Sequence, residues 1–223
     1  VNRSVNGRPA QAVHTVLFDF DGTLADSTAL IMESYRHTMR AHLGAAPPDE
    51  QWLSGFGTPL EAQIARFSRG PDEHEAMLDT YRAYQGEHYD RLLRPFAGAV
   101  DAVAALARGG VRLAIVTSRH RRSTLRGMEL CGMLDHFPVV VTPEDVSQPK
   151  PHPEPVLHAL RRLDADPAET VFIGDSPHDI AAGRAAGTRT AAALWGPFPR
   201  ATLAASAPDW MLESWDELLG IVG

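Results

Sequence analysis

The chain has 223 residues, 44% of them hydrophobic and 22% charged, which is enough for one large domain or for a core with a small insert. A formal charge of −7 argues against a nucleic-acid binder or a polybasic membrane binder, because no cation excess is present to displace phosphate counterions. No apolar run approaches the ~18–20 residues of a membrane span, and a single cysteine, Cys131, excludes an internal disulfide.

A small anionic substrate stays open, since a metal or a local arginine cluster reverses the sign at one site. The first ten residues lack the apolar stretch of a signal peptide, and one free cysteine suits a reducing compartment. A cytoplasmic protein with no nucleic-acid or membrane partner, monomeric or homodimeric, is therefore expected. Of the 21 basic residues only Lys150 is a lysine. Where Lys survives such a bias, its position is a candidate for needing a compact ammonium rather than a planar guanidinium.

Residues 1–12 are polar, contain Gly7 and Pro9, and read as a loose tail. Val13 to Phe18 is a short apolar run of strand type, followed by Asp19-Phe20-Asp21-Gly22-Thr23. From Ser27 the period turns helical, with Leu30, Ile31, Ser34, Tyr35, Thr38, Met39 and Leu43 on one face and Gly44 as the stop. Residues 45–94 hold shorter helical stretches broken at Gly55, Gly57, Pro59 and Gly70-Pro71, with no convincing strand. After Pro95, helical and strand patterns alternate. Strands are expected at Arg112–Thr117, Val139–Thr142, Val171–Gly174, Thr188–Leu194 and, at an edge, Trp210–Leu212. Helices are expected around Val100–Ala107, Ser123–Cys131, Pro155–Leu163 and Ile180–Ala186. This alternation reads as an α/β fold, a doubly wound parallel sheet with an all-helical insert after its first strand.

In open α/β sheets, ligands bind beyond the carboxyl ends of the strands. The first strand ends in Asp19 and Asp21, the second in Thr117-Ser118-Arg119. Lys150 follows the third, and Asp175-Ser176 with Asp179 follows the fourth. If strand geometry persists, Asp19 and Asp21 project from one side. Two carboxylates ~4 Å apart repel by ~4 kcal/mol at an effective dielectric near 20. Asp175 adds to that repulsion unless a cation lies among them. Oxygen ligands with open positions suit Mg²⁺, and the hydroxyls of Thr117 and Ser118 with Lys150 can receive phosphate oxygens. The alternative, that these aspartates are helix caps and turn residues, fits Asp179 and Asp26 best.

FDFDGTLADS at 18–27, IVTSR at 115–119, KPHPEP at 150–155 and GDSPHD at 174–179 together resemble the haloacid dehalogenase-like hydrolase superfamily, in its order and spacing and over nearly the whole chain. The resemblance implies a Rossmann-like core over residues 13–25 and 95–223, with a small helical cap over 26–94. It implies Asp19 as a nucleophile that becomes an aspartyl-phosphate, and Asp21 as the acid and base. Thr117, Ser118 and Lys150 would hold the phosphoryl group. Asp19, Asp175 and Asp21, the last through its backbone carbonyl, would hold Mg²⁺, with Asp179, Ser176, Gly22 and Thr23 in support. The implied function is a Mg²⁺-dependent phosphohydrolase acting on a small phosphorylated substrate.

Within that superfamily the cap has no lysine for a Schiff base, which excludes phosphonatase chemistry, and Asp21 with Thr23 disfavours the dehalogenases. Gly57-Thr58-Pro59-Leu60 has Leu where sugar-phosphate mutases carry Arg, and resembles the phosphoglycolate phosphatase and bacterial pyrophosphatase branch. Pyrophosphate or 2-phosphoglycolate is the expected substrate. A phosphomutase of the β-phosphoglucomutase type and a catalytically silent binding domain are the competing readings. Thr58, Arg66 and His88 are the cap residues expected to touch substrate. Arg119, where Lys often stands in the family, has no assigned role. Arg121 and Arg122 read as a solvated turn, and Cys131, Tyr81 and Tyr84 as packing residues.

Overall fold

The computed structural model describes residues 12–222, so the tail expected over 1–12 falls, but for Ala12, outside the described residues. Six strands form one parallel sheet in the order β5–β4–β1–β6–β7–β8. They are β1 (Thr15–Phe18), β4 (Arg112–Val116), β5 (Val139–Val141), β6 (Thr170–Gly174), β7 (Arg189–Ala193) and β8 (Trp210–Leu212). From β1 the chain builds outward through β4 to β5, then crosses back to β6 on the other flank of β1 and continues to β7 and β8. The order therefore reverses beside β1, and a crevice opens at the carboxyl ends of β4, β1 and β6.

The strands are near-continuous apolar runs because helices cover both faces. Side chains alternate between those faces. Val16 and Phe18 join Leu113, Ile115, Val171 and Ile173 in one core layer, closed by α5 (Ala99–Arg108), α6 (Arg121–Leu130) and α10 (Trp215–Val222). Leu17 joins Ala114, Val116 and Phe172 on the other face, closed by α7 (Glu154–Leu163) and α8 (Pro177–Ala185). The five main strands and the edge strand follow the sequence expectation, with ends moved by one or two residues.

The helical insert is built from α1 (Thr28–Leu43), α2 (Asp49–Leu53), α3 (Leu60–Ala65) and α4 (Pro71–Leu92). It has its own core, in which Met32, Tyr35 and Met39 of α1 pack with Trp52, Phe56, Ile64, Met77 and Tyr81. The Tyr35 and Trp52 rings stack at 4.7 Å. The two passages joining insert to sheet run antiparallel as β2 (Ala25–Asp26) and β3 (Arg94–Pro95), with Ala25 opposite Pro95 and Asp26 opposite Arg94.

The helices depart from expectation at three places. α6 begins at Arg121, two residues early, because Glu144 reaches across from the β5 loop and its Oε1 accepts the Arg121 N–H at 3.0 Å. A carboxylate at that end satisfies an orphan donor and offsets the neighbouring arginines. α8 begins at Pro177 because Ser176 and Asp179 form a capping box in front of it. The helices α9 (Arg200–Ala205) and α10 have no counterpart in the sequence reading, although Ser214, just ahead of α10, and Glu217 in its first turn carry the capping spacing. Trp195 and Trp215 pack together at 4.5 Å and donate to the carbonyls of Thr23 and Ala97, which fixes the sheet ends of both passages. Among the described residues, no helix is long and apolar enough to cross a membrane.

Candidate active site

β1 carries Asp19 to the rim, where its N–H continues the ladder to the Ile173 carbonyl at 2.9 Å. β6 carries Asp175, and the α8 capping box carries Asp179. The loop after β5 returns Lys150 beneath them. Asp19, Asp175, Asp179 and Lys150 are all buried. Lys150 Nζ donates to Asp179 Oδ1 at 2.6 Å and to the Val116 carbonyl at 3.2 Å, and lies 3.0 Å from Asp19 Oδ1. That last approach is an ion pair without hydrogen-bond geometry, so Asp19 Oδ1 is a buried oxygen with no hydrogen bond.

Three carboxylates face one ammonium, so the cluster holds an excess of negative charge. Burial is the largest influence on Asp19 and, against the pull of Lys150, raises its carboxyl from 3.8 to about 7. Burial, then the charges of Asp19 and Asp179, hold Asp175 well above its ordinary value. Lys150 is raised, because the attraction of Asp179 and Asp19 outweighs the cost of burying its charge. Oxygens of Asp19, Asp175 and Asp179 lie within 4.8 Å of one another. Crowded oxygen donors, one lacking any hydrogen bond, fit a hard divalent cation such as Mg²⁺.

Support around Asp175 is specific. Thr23 Oγ1 donates to its Oδ1 at 3.0 Å. Gly22 turns the chain at φ +77, and a Cβ there would stand 2.4 Å from Asp175 Oδ2. Only glycine meets both demands. Ser176 donates to Asp179 Oδ2 through its hydroxyl at 2.6 Å and its N–H at 3.1 Å, so Asp179 is at once a helix cap and the partner that holds Lys150.

Asp21 does not join this cluster. The strand ends at Phe18 and the chain turns, so strand geometry does not persist from Asp19 to Asp21. The Asp21 carboxylate is instead gripped by Arg119, with Nε to Oδ2 at 2.7 Å and Nη2 to Oδ1 at 2.6 Å. Asp19, Asp21, Asp175, Thr117, Ser118 and Thr58 all line a cavity of about 510 Å³ between the sheet and the insert. Thr117 Oγ1 accepts the Arg119 N–H at 3.1 Å. The Ser118 hydroxyl, expected on phosphate, donates to the Gly57 carbonyl of the insert at 2.6 Å.

The structure does not bring Arg66 or His88 to the cavity. Arg66 donates to the Gln51 carbonyl at 2.8 Å and to Ser54 Oγ at 2.9 Å, within the insert. His88 stacks on Tyr84 at 4.0 Å, turned away by its position on α4. Arg121 pairs with Asp145, while Arg122 lines the cavity as an exposed residue.

Sequence reasoning missed the contact between the two layers. His120 sits between carboxylates, with Nε2 at 2.7 Å from Glu61 Oε1 of the insert and Nδ1 at 3.1 Å from Glu144 Oε1 of the core. The Glu61 bond leads in raising His120 above its ordinary value, and the same bond holds Glu61 down at about 2. Gly57, at φ +85, presses its backbone against the rim, where a Cβ would stand 2.7 Å from Ser176 Oγ. The Gly-x-Pro-Leu loop was the available signal.

A parallel six-stranded sheet with a buried aspartate–lysine centre at its switch point, roofed by a helical insert, defines a Rossmann-like α/β protein with an inserted helical unit. A family model for haloacid dehalogenase-like hydrolases matches residues 16–193. The pyrophosphatase PpaX of Anoxybacillus flavithermus is 39% identical over 211 residues, covering 95% of this chain and 97% of that protein. A haloacid dehalogenase-like hydrolase from Streptococcus pneumoniae superposes with a TM-score of 0.79 at 26% identity, over 93% of this chain and 97% of the other. A structure from Haemophilus somnus, titled a predicted phosphoglycolate phosphatase, superposes at 0.87 with 22% identity, over 95% and 98% of the two chains. The chain belongs to the haloacid dehalogenase-like hydrolase family.

Proposed function

We propose that the chain is a cytoplasmic, Mg²⁺-dependent phosphohydrolase that moves a phosphoryl group from a small substrate to Asp19 and then to water. The buried Asp19 carboxylate, one oxygen of which lacks a hydrogen bond and lies 3.0 Å from Lys150 Nζ, on a residue that lines the cavity, carries this reading. Asp19 attacks phosphorus as the bond to the leaving oxygen breaks, and that oxygen takes a proton from Asp21. Asp21 then takes a proton from water as the water attacks the aspartyl-phosphate, which frees phosphate and restores Asp19. Lys150 and Thr117 hold the phosphoryl oxygens, and Asp179 fixes Lys150. Asp19, Asp175 and the Asp21 carbonyl would hold Mg²⁺, which supplies neutralising charge when bound. Residues 26–94 would act as a cap that excludes bulk water.

Pyrophosphate or 2-phosphoglycolate is the substrate this reading favours. Similarity to PpaX over 95% of the chain supports the first, and the Gly57-Thr58-Pro59-Leu60 loop supports either. The test is phosphate release with Mg²⁺ from pyrophosphate, 2-phosphoglycolate and a panel of sugar phosphates. Turnover that disappears in Asp19→Asn is expected, and a fully active variant would sink the mechanism. Isomerisation of a hexose phosphate without phosphate release would favour a mutase. Silence on every substrate would favour a binding domain.

A further inference from the structure

We infer that Arg119 is the residue through which this site recognises a second anionic group on the leaving group of its substrate. The inference rests on the phosphohydrolase reading and narrows its substrate class.

Arg119 follows the end of β4 and lines the cavity with only 9% of its surface exposed. Its guanidinium has five N–H donors. Two go to Asp21, and a third, on Nη1, points to Gln85 Oε1 of α4 at 3.5 Å. One donor on each Nη nitrogen is left without a protein acceptor among the described residues. The Tyr89 ring lies 5.5 Å from the guanidinium carbon. The group is thus held on one edge by a carboxylate and flanked by an aromatic ring, on a residue that lines the cavity and keeps two donors uncommitted.

The other arginines lining the cavity differ. Arg82 pairs with Glu61 at 2.6 Å, Arg126 pairs with Asp90 at 2.7 Å, and Arg122 is exposed. All three are substantially solvated, where charge is screened. A buried guanidinium acts in a lower dielectric, so its attraction for an anion is stronger. Its fork also matches the paired oxygens of a carboxylate or a phosphoryl group.

Position completes the argument. In the proposed reaction Asp21 meets the leaving oxygen, and Arg119 holds Asp21 directly. An anionic group one or two bonds beyond the leaving oxygen therefore falls beside the guanidinium. Arg119 offsets the Asp21 carboxylate while it is ionised, leaves a net positive charge while Asp21 carries the proton it donates, and keeps two donors for that group in both states. The favoured substrates are phosphoryl compounds whose leaving group carries its own carboxylate or phosphate. A monoester of a neutral alcohol lacks what Arg119 reads.

The experiment compares kcat/KM with Mg²⁺ for the wild type, Arg119→Met and Arg119→Lys on pyrophosphate, 2-phosphoglycolate and ethyl phosphate. The wild type is expected to prefer the first two, and whichever it prefers more separates phosphate from carboxylate as the group recognised. Arg119→Met should lose about 10- to 100-fold more on its preferred anionic substrate than on ethyl phosphate, mostly through KM. Arg119→Lys should recover part of that loss, since it keeps the charge without the fork. If Arg119→Met does not fold by circular dichroism, Arg119→Lys carries the same comparison. An equal loss on all three substrates, or a wild type that prefers ethyl phosphate, overturns the inference alone. A wild type silent on all three but active on a sugar phosphate overturns the inference alone, and silence on the sugar-phosphate panel as well overturns the phosphohydrolase reading with it.

Discussion

Asp19→Asn should make the metal-free protein more stable while removing its activity. In the unfolded chain Asp19 loses its proton near 3.8, whereas burial raises the folded value to about 7. Between those values the folded state holds the extra proton, so stability falls as pH rises through this window and levels off above it. Above pH 7 the ionised side chain then costs the fold about 4 kcal/mol relative to a neutral one, at about 1.4 kcal/mol for each tenfold change in proton affinity. Asparagine is neutral at every pH and keeps the shape. In chelator at pH 8 the variant should gain up to about 4 kcal/mol in urea unfolding, on the order of 10 °C in Tm. The gain should vanish below about pH 4. Added Mg²⁺ should stabilise the wild type far more than the variant, since the bound ion offsets the same charge. A metal-free variant less stable than wild type at pH 8, or a gain that ignores pH, would refute the reasoning.

Three further outcomes follow from the same geometry. Lys150→Met removes the one cation that, among the described residues, pairs with the buried aspartates and should cost the metal-free protein about 3–5 kcal/mol at pH 8 by urea unfolding; an unchanged midpoint would count against the cluster. Gly57→Ala places a Cβ 2.7 Å from Ser176 Oγ at a φ of +85 and should lift the insert loop from the rim. It should lower kcat by about tenfold or more while the circular dichroism spectrum holds. His120 joins Glu61, which also meets Arg82, to Glu144, and its folded value is raised. The bridge is complete below the ordinary histidine value and is lost as pH rises through the raised one. Hydrogen exchange in α3 should therefore quicken as pH rises above the ordinary histidine range, after correction for intrinsic rates, and His120→Gln should abolish that pH dependence.

Much of the molecule is legible before any coordinates. The apolar runs that become β1, β4, β5 and β6 are bounded by turn residues, and a strand buried on both faces has to be apolar throughout. Their carboxyl ends carry Asp19, Thr117 and Asp175, with Lys150 beyond the β5 loop, because ligands gather at that edge of such a sheet. The lone lysine in an arginine-rich chain marks its own position. Less of the helical periphery is readable. α9 is too short for a clear period, and the early start of α6 depends on Glu144, which is 23 residues away in sequence.

Sequence by itself determined the strand order of chemistry and the capping box of α8, because each follows from neighbours within a few residues. Only the tertiary structure decided the partners. It joined Asp179 rather than Asp21 to the acidic cluster, since the chain turns after Phe18 and Lys150 arrives from another loop. It gave Asp21 to Arg119, 98 residues away, and turned Arg66 and His88 aside. Spacing along one helix or strand sets which way a side chain points, but what it meets there is set by where distant segments pack.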